Sequence, residues 1–295
     1  MKMPEVQTKI PSAEEDPGWD VVIQPRQGFV LLNLRSLWRF RDLIWLFFKR
    51  DFVTFYKQTV LGPLWYLIQP TLTALTYYIV FGRIANLPTN GVPPFLFYMS
   101  GIVLWGYFSS CLTNNSEVFS KNASLFGKVY FPRMVVPISV AMSGVVAFAI
   151  QFSLLLTIVA VFALTSGAVS FPGAGILLVP LLICYVACLG VGVGLIVSAM
   201  TVRFRDLAFA AGFVTQLWMY ATPVVYPYTQ IPVQYQWFFF INPMSAPVET
   251  MRHLMFGTTA IPAGLWLGNM AVTFVLLVAG VVLFTRAESV AMDTV

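Results

Sequence analysis

Two stretches of the chain carry side chains suited to gripping a ligand. Trp65, Gln69, Thr73, Thr76 and Tyr77 recur mostly at three- and four-residue steps, and Phe209, Phe213, Gln216 and Tyr220 repeat the idea. On a helix each set shares one side. Aromatic faces beside amides and hydroxyls suit a sugar ring, which has an apolar C–H face and a polar rim. The same pattern also suits packing between helices in a membrane, where Thr and Gln hydrogen-bond across the contact. Either way these groups should avoid lipid, because exposing an amide to hydrocarbon is costly.

Reaction centres are harder to assemble. His253 is the one histidine and there are three cysteines. A Ser-His-Asp arrangement would have to use His253, and a zinc site has few ligands to draw on. Cys184 and Cys188 stand one helical turn apart without His or carboxylate neighbours, so they read as small packing residues. His253 beside Arg252 reads as an interfacial polar pair. No P-loop is present: Gly127-Lys128 is followed by Val129, and Asn122 stands where the first glycine belongs. Gly190, Gly192 and Gly194 lie inside an apolar run, which makes them a close-packing surface rather than a phosphate cradle. No metal ligand set and no catalytic residue is assigned.

The elements that position these residues follow from composition. The 295 residues are 58% apolar and 10% charged, with a mean hydropathy of +0.79. Soluble domains carry roughly 25% charged residues. The chain therefore reads as an all-α, polytopic membrane protein. Six apolar stretches, near 61–82, 95–116, 137–165, 175–201, 207–226 and 263–285, each reach the length of a membrane helix. None has a charged residue near its centre. Ion-coupled carriers usually keep ionisable groups there, so the energy source is expected outside this chain.

Charge placement sets the orientation. Fifteen of the 17 Lys and Arg fall before the first stretch, between the second and third, between the fourth and fifth, or after the sixth. Six spans with both termini in the cytoplasm fit that asymmetry. The net charge of +5 is thus an orientation signal, with no basic face to hold nucleic acid.

Several pieces are not simple spans. Residues 1–28 hold Pro4, Pro11, Glu14, Glu15, Asp16 and Pro17 with no apolar core, and read as a polar, partly disordered tail. Residues 29–58 are too charged to cross. Arg35, Arg39, Asp42, Lys49 and Arg50 fall roughly along one side of a helix that should lie in the cytoplasmic interface. Residues 118–136 alternate basic and aromatic side chains, as a short helix with one face on the protein and one outward would; a plain solvated loop fits equally. Residues 223–262 contain six prolines and many aromatics. Proline breaks a long helix and aromatics favour the bilayer boundary, so broken re-entrant helices are expected. Residues 286–295 form a cytoplasmic tail.

An ordered set of motifs adds a resemblance over about residues 30–285. The set runs from Lys49-Arg50-Asp51 and Tyr56-Lys57-Gln58-Thr59 through Leu61-Gly62-Pro63-Leu64-Trp65 and Gln69-Pro70. It continues with Phe126-Gly127-Lys128-Val129-Tyr130-Phe131-Pro132-Arg133 and Arg203-Phe204-Arg205-Asp206-Leu207. Thr222-Pro223-Val224, Tyr226-Pro227 and Ile241-Asn242-Pro243-Met244 complete it. The chain resembles the membrane subunits of ABC-2 type polysaccharide exporters for O-antigen, capsule and teichoic acid, and the O-antigen branch most.

That resemblance implies a homodimer in the bacterial inner membrane with two separate ATP-binding cassette subunits. ATP and magnesium would be bound by those partners, with no cofactor and no enzymatic activity in this chain. It implies a path for lipid-linked polysaccharide along the first and fifth spans, at Trp65, Gln69, Thr73, Thr76, Tyr77, Phe209, Phe213, Gln216 and Tyr220. It implies coupling to the ATPase through Lys121, Asn122, Phe126, Lys128, Tyr130, Phe131 and Arg133, with Arg203, Arg205 and Asp206, and through the interface helix. Tyr226, Pro227, Trp237, Phe239, Asn242 and Pro243 become outer-gate candidates. An exporter of drugs or small lipids, or a membrane glycosyltransferase, stand as alternatives.

Overall fold

The charge-poor stretches fold as helices. The computed structural model describes residues 34–293 except 59–61, 127, 130, 166, 168 and 205. The polar tail 1–28, the start of the interface helix, Tyr130 and Arg205 therefore lie outside the described residues. The α-helices are α1 (Leu34–Arg39), α2 (Arg41–Gln58), α3 (Trp65–Tyr77), α4 (Pro94–Ser116), α5 (Val118–Phe126) and α6 (Val135–Thr165). They continue with α7 (Val179–Thr201), α8 (Leu207–Ala221), α9 (Trp237–Ile241), α10 (Ser245–Phe256) and α11 (Ala263–Asp293). No strand occurs among the described residues.

Four helices are long and apolar enough to cross a membrane: α4, α6, α7 with its preceding turn from Ala174, and α11 as far as Glu288. The other two expected spans depart from a single long α-helix, each for a local reason. The fifth was expected over 207–226, but α8 ends at Ala221 after 15 residues, about 22 Å of rise. Thr222 is extended (φ −103°, ψ 147°), the backbone that the residue before a proline prefers, and Pro223 follows. The first span begins as a 3₁₀ turn at Gly62–Leu64 and holds Pro70, which gives no N–H to the helix ladder. It then widens into a π-helix over Tyr78–Ile84. There the Ala85 N–H donates to the Val80 carbonyl, five residues back, at 2.9 Å. Such π segments are frequent at functional sites.

Apolar side chains lie both inside the bundle and on its outer surface, as lipid allows. Most of α4 is buried, but little of α6 is. Yet α4 is the helix that carries buried Ser100, Asn115 and Ser116. Lipid tails accept apolar side chains as readily as a protein core does, so burying these polar groups gains what exposing an apolar face does not lose. α4 touches α3, α6, α7, α8 and α10, and α7 lies between α4 and α11.

The glycines of α7 make that sandwich possible. A Cβ on Gly190 would stand 2.6 Å from the Cβ of Cys111, and one on Gly194 2.6 Å from that of Asn115, both on α4. A Cβ on Gly192 would stand 2.8 Å from the Leu277 Cα on α11. The expected close-packing surface is thus two-sided.

Two smaller cores lie toward the two ends of α4. After its C-terminus, Leu37 and Phe47 join Phe119, Phe131, Val136, Leu195 and Phe284, so α1, α2, α5 and the ends of α7 and α11 share one apolar cluster. Beyond its N-terminus, Tyr228, Phe239, Ala246 and Leu265 form another.

Candidate functional site

The two aromatic stripes sit on helices that flank α4. On α3, Trp65 is 46% exposed, and Gln69 and Thr76 are exposed with it. The Thr73 hydroxyl donates to the Gln69 carbonyl and that of Thr76 to the Leu72 carbonyl, each at 2.9 Å. Their donors are spent within the helix, which leaves their oxygens as acceptors and their methyls as contact surface. On α8, Ala211 and Thr215 face inward while Phe209 (85%), Phe213 (63%), Gln216 and Tyr220 (46%) face out.

Tyr77 departs from its stripe. It is buried, with its ring edge-on to Phe81 and Tyr98 at 5.3 and 6.3 Å between centroids. Its hydroxyl donates to Met219 Sδ at 3.8 Å. Tyr77 is therefore where α3 meets α8, rather than part of the open face. The spacing that grouped Tyr77 with Thr76 could not distinguish the two directions.

The 118–136 segment divides into two faces. Phe119 and Phe131 are buried and Phe126 is half-buried against them. Lys121 and Lys128 are exposed, with Lys121 Nζ 2.6 Å from Glu117. Asn122 turns back to donate to the Val118 carbonyl at 3.0 Å. Arg133 is 6% exposed: its guanidinium stacks over Phe126 at 5.0 Å and reaches the Glu288 carbonyl of α11 at 3.2 Å. Of the expected coupling residues, Lys121 and Lys128 are presented outward and Arg133 is an internal strut. Arg203 and Asp206 are exposed in the turn between α7 and α8.

The interface helix occurs in two pieces with a turn at Phe40. Arg35 lies on α1; Arg39, Asp42, Lys49 and Arg50 are exposed. Leu37 and Phe47 dock on the protein, while Trp38 (70%) and Trp45 (59%) stay exposed.

The outer segment is pinned by buried side chains. Asn242 accepts from the Trp218 indole at 3.0 Å and donates to the Ala221 carbonyl and Thr222 hydroxyl, each at 3.0 Å. Asn269 on α11 donates to the Phe239 carbonyl and accepts from the Ala246 N–H. The Tyr185 hydroxyl on α7 donates to the Pro243 carbonyl at 2.9 Å. Pro227, Phe239 and Pro243 are buried and Tyr226 half-buried, whereas Trp237 is 60% exposed. The gate candidates thus include anchors as well as surface aromatics.

The residues missed by sequence reasoning lie beneath this segment. The expected Arg252–His253 pair does not form: the helix turns the two apart. His253 is exposed and its Nδ1 pairs with the Thr258 carbonyl. Arg252 is fully buried. It donates to the carbonyls of Pro223 and Val224 at 2.6 Å each and to Glu249 Oε1 at 2.9 Å, with its guanidinium 3.6 Å from the Phe97 ring centroid. Glu249 also accepts the Tyr228 N–H at 3.0 Å. Burial pulls the Arg252 guanidinium below its usual value, and Glu249 pulls it back up. Glu249 and Arg252 are three residues apart on a helix, the one signal that could have revealed the pair.

Among the described residues, no group of three or more His, Cys, Asp and Glu is placed to hold a metal. The features so far define a multi-pass helical membrane protein with aromatic and amide faces on two helices. Its family follows from comparison: residues 42–256 match the model of the ABC-2 type transporter family, and the chain belongs to that family of transporter membrane components, which work with an ATPase partner. It is 28% identical over 218 residues to the O-antigen export system permease protein RfbA of Klebsiella pneumoniae, covering 74% of this chain and 82% of that protein. It is 29% identical over 199 residues to the protein of the same description from Myxococcus xanthus, covering 67% and 73%.

Proposed function

We propose that the chain is the permease of an ATP-driven exporter of lipid-linked polysaccharide, O-antigen in particular, in the bacterial inner membrane. Two copies assemble with two ATPase subunits, which bind ATP and magnesium. Six spans, counting the first and fifth despite their irregular ends, place both termini in the cytoplasm.

One observation carries this reading: Gln69, Thr76 and Gln216 stand exposed beside Trp65, Phe213 and Tyr220 on the surface of the single chain. Lipid would penalise those amides, whereas a hydrated glycan path would use them. Aromatic stacking grips successive sugar rings without selecting one, as a sliding polymer requires. Closure of the ATPases would act through Lys121 on α5 and Lys128 in the turn after it; the buried side of α5 shares a core with α2 and α11. The outer segment would gate the far end. The relatives' names support the O-antigen assignment.

The test replaces Trp65, Gln216 and Phe213 by alanine together and measures surface glycan. Export is expected to fall while the complex still assembles and hydrolyses ATP. Export at the wild-type rate would sink the path assignment. A deletion strain that keeps its surface glycan would point instead to export of a small lipid or drug.

A further inference from the structure

A cleft of about 440 Å³ lies between α2, α4, α5 and α6, with Tyr66 of α3 on its wall, away from the exposed face of α8. Its charged lining comes from Arg50, Asp51 and Lys121. Both cations are about half exposed, so they form its rim. From there the cleft follows α6 past Val136, Val140 and Ala147, about 16 Å of helix rise. α6 is one of the four apolar helices long enough to span, so the cleft runs from a charged rim into the bilayer.

Two hydrogen bonds along its wall are made within single helices. The Asn114 amide donates to the Ser110 hydroxyl at 3.1 Å, and the Ser143 hydroxyl donates to the Ser139 carbonyl at 3.0 Å. An apolar chain can lie against them without breaking either bond. The rim, by contrast, is ionic and balanced. Arg50 NH2 stands 2.8 Å from Asp51 and Lys121 Nζ 2.6 Å from Glu117.

That balance selects the ligand. A simple anion would meet Asp51 at the rim, and Glu117 behind Lys121, along with the cations. A zwitterion avoids that repulsion: its phosphate takes the remaining N–H donors of Arg50 and Lys121, and its ammonium takes carboxylate oxygens. An apolar tail then fills the wall along α6. We propose that this cleft binds one zwitterionic phospholipid, with an ammonium and a phosphate in its head group. Bound there, the lipid wedges α2 against α5, two of the elements that the proposed topology puts on the cytoplasmic side. The inference rests on the membrane family and the cleft, not on the exported substrate, so loss of export does not bear on it.

The experiment uses the full chain co-purified with its ATPase partner, stripped of lipid and then exposed to defined vesicles. Native mass spectrometry reads the lipid retained. Phosphatidylethanolamine should stay bound, and Arg50→Gln with Lys121→Gln should weaken it about tenfold or more, the loss expected when charge-assisted hydrogen bonds are removed. Ala147→Phe should exclude it by filling the wall while leaving the rim intact. Its melting temperature without lipid should match the wild type, which keeps the test valid if the rim variant folds poorly. Equal retention in the variants and wild type would overturn the site. Equal retention of phosphatidylglycerol would overturn the zwitterion assignment. Inorganic phosphate displacing the lipid would show a plain anion site, and a crosslink from Ser110→Cys to the ATPase subunit would show a protein occupant.

Discussion

Replacing Arg252 by methionine should cost more stability than any surface change in this protein. The side chain is fully buried and donates to two backbone carbonyls and to Glu249. Glu249, itself 4% exposed, would keep only the Tyr228 N–H. Breaking one side of a buried ion pair costs about 3–5 kcal/mol, because the other charge stays buried alone. Each orphaned carbonyl adds roughly 1–3 kcal/mol. Together these rival the entire stability of a typical domain, roughly 5–15 kcal/mol. Replacing Glu249 by leucine in the same chain removes the stranded charge, and apolar replacement of a whole pair is often neutral. The double variant should therefore recover about 3 kcal/mol over Arg252→Met, in a cycle measured by unfolding in detergent. It should still leave the Pro223 and Val224 carbonyls untied, so the turn after α8 loosens in a folded protein. If the two single effects add to within about 0.5 kcal/mol, the pair is not what holds this segment, and the reasoning fails.

Other expectations follow from contacts. Gly194→Ala should destabilise by about 1–3 kcal/mol because its Cβ meets Asn115 and the Leu112 carbonyl. Gly212→Ala, with open space around its Cβ, should be neutral or slightly stabilising in the same unfolding assay. Asn242→Ala should cost about 1–3 kcal/mol by stranding the Trp218 indole N–H, seen as a lower melting temperature and altered tryptophan emission. Cysteine at Lys128 should crosslink to the ATPase subunit, while cysteine at Arg133 should resist labelling, since only the former position is exposed. Equal labelling of both would contradict the two-faced reading of 118–136.

Much was legible before folding was considered. Scarce charge marked the membrane class, and the long apolar runs became α4, α6, α7 and α11. Gly190, Gly192 and Gly194 announced close packing because a missing side chain within an apolar run has few other uses. The stripes at Trp65–Thr76 and Phe209–Tyr220 were visible as helical spacing, and both open outward.

What spacing could not settle is which way a face turns. In lipid, apolar periodicity does not separate protein-facing from lipid-facing sides, since both surroundings accept the same side chains. Its serines and asparagines made α4 the least apolar of the four long helices, but only the contacts show that it packs against α3, α6, α7, α8 and α10. Tyr77 looked like part of a stripe until its contacts with Met219 and Tyr98 turned it inward. Arg133 looked like an outward cation until Glu288, far along the chain, captured it. Arg252 looked interfacial until Pro223, Val224 and Phe97 closed around it. A buried charge is tolerable only if partners from elsewhere complete its coordination, and those partners are set by packing, not by neighbours in sequence. The chain alone thus decided what must enter the membrane, and the tertiary contacts decided which of its few polar groups hold the helices together and which remain open to a ligand.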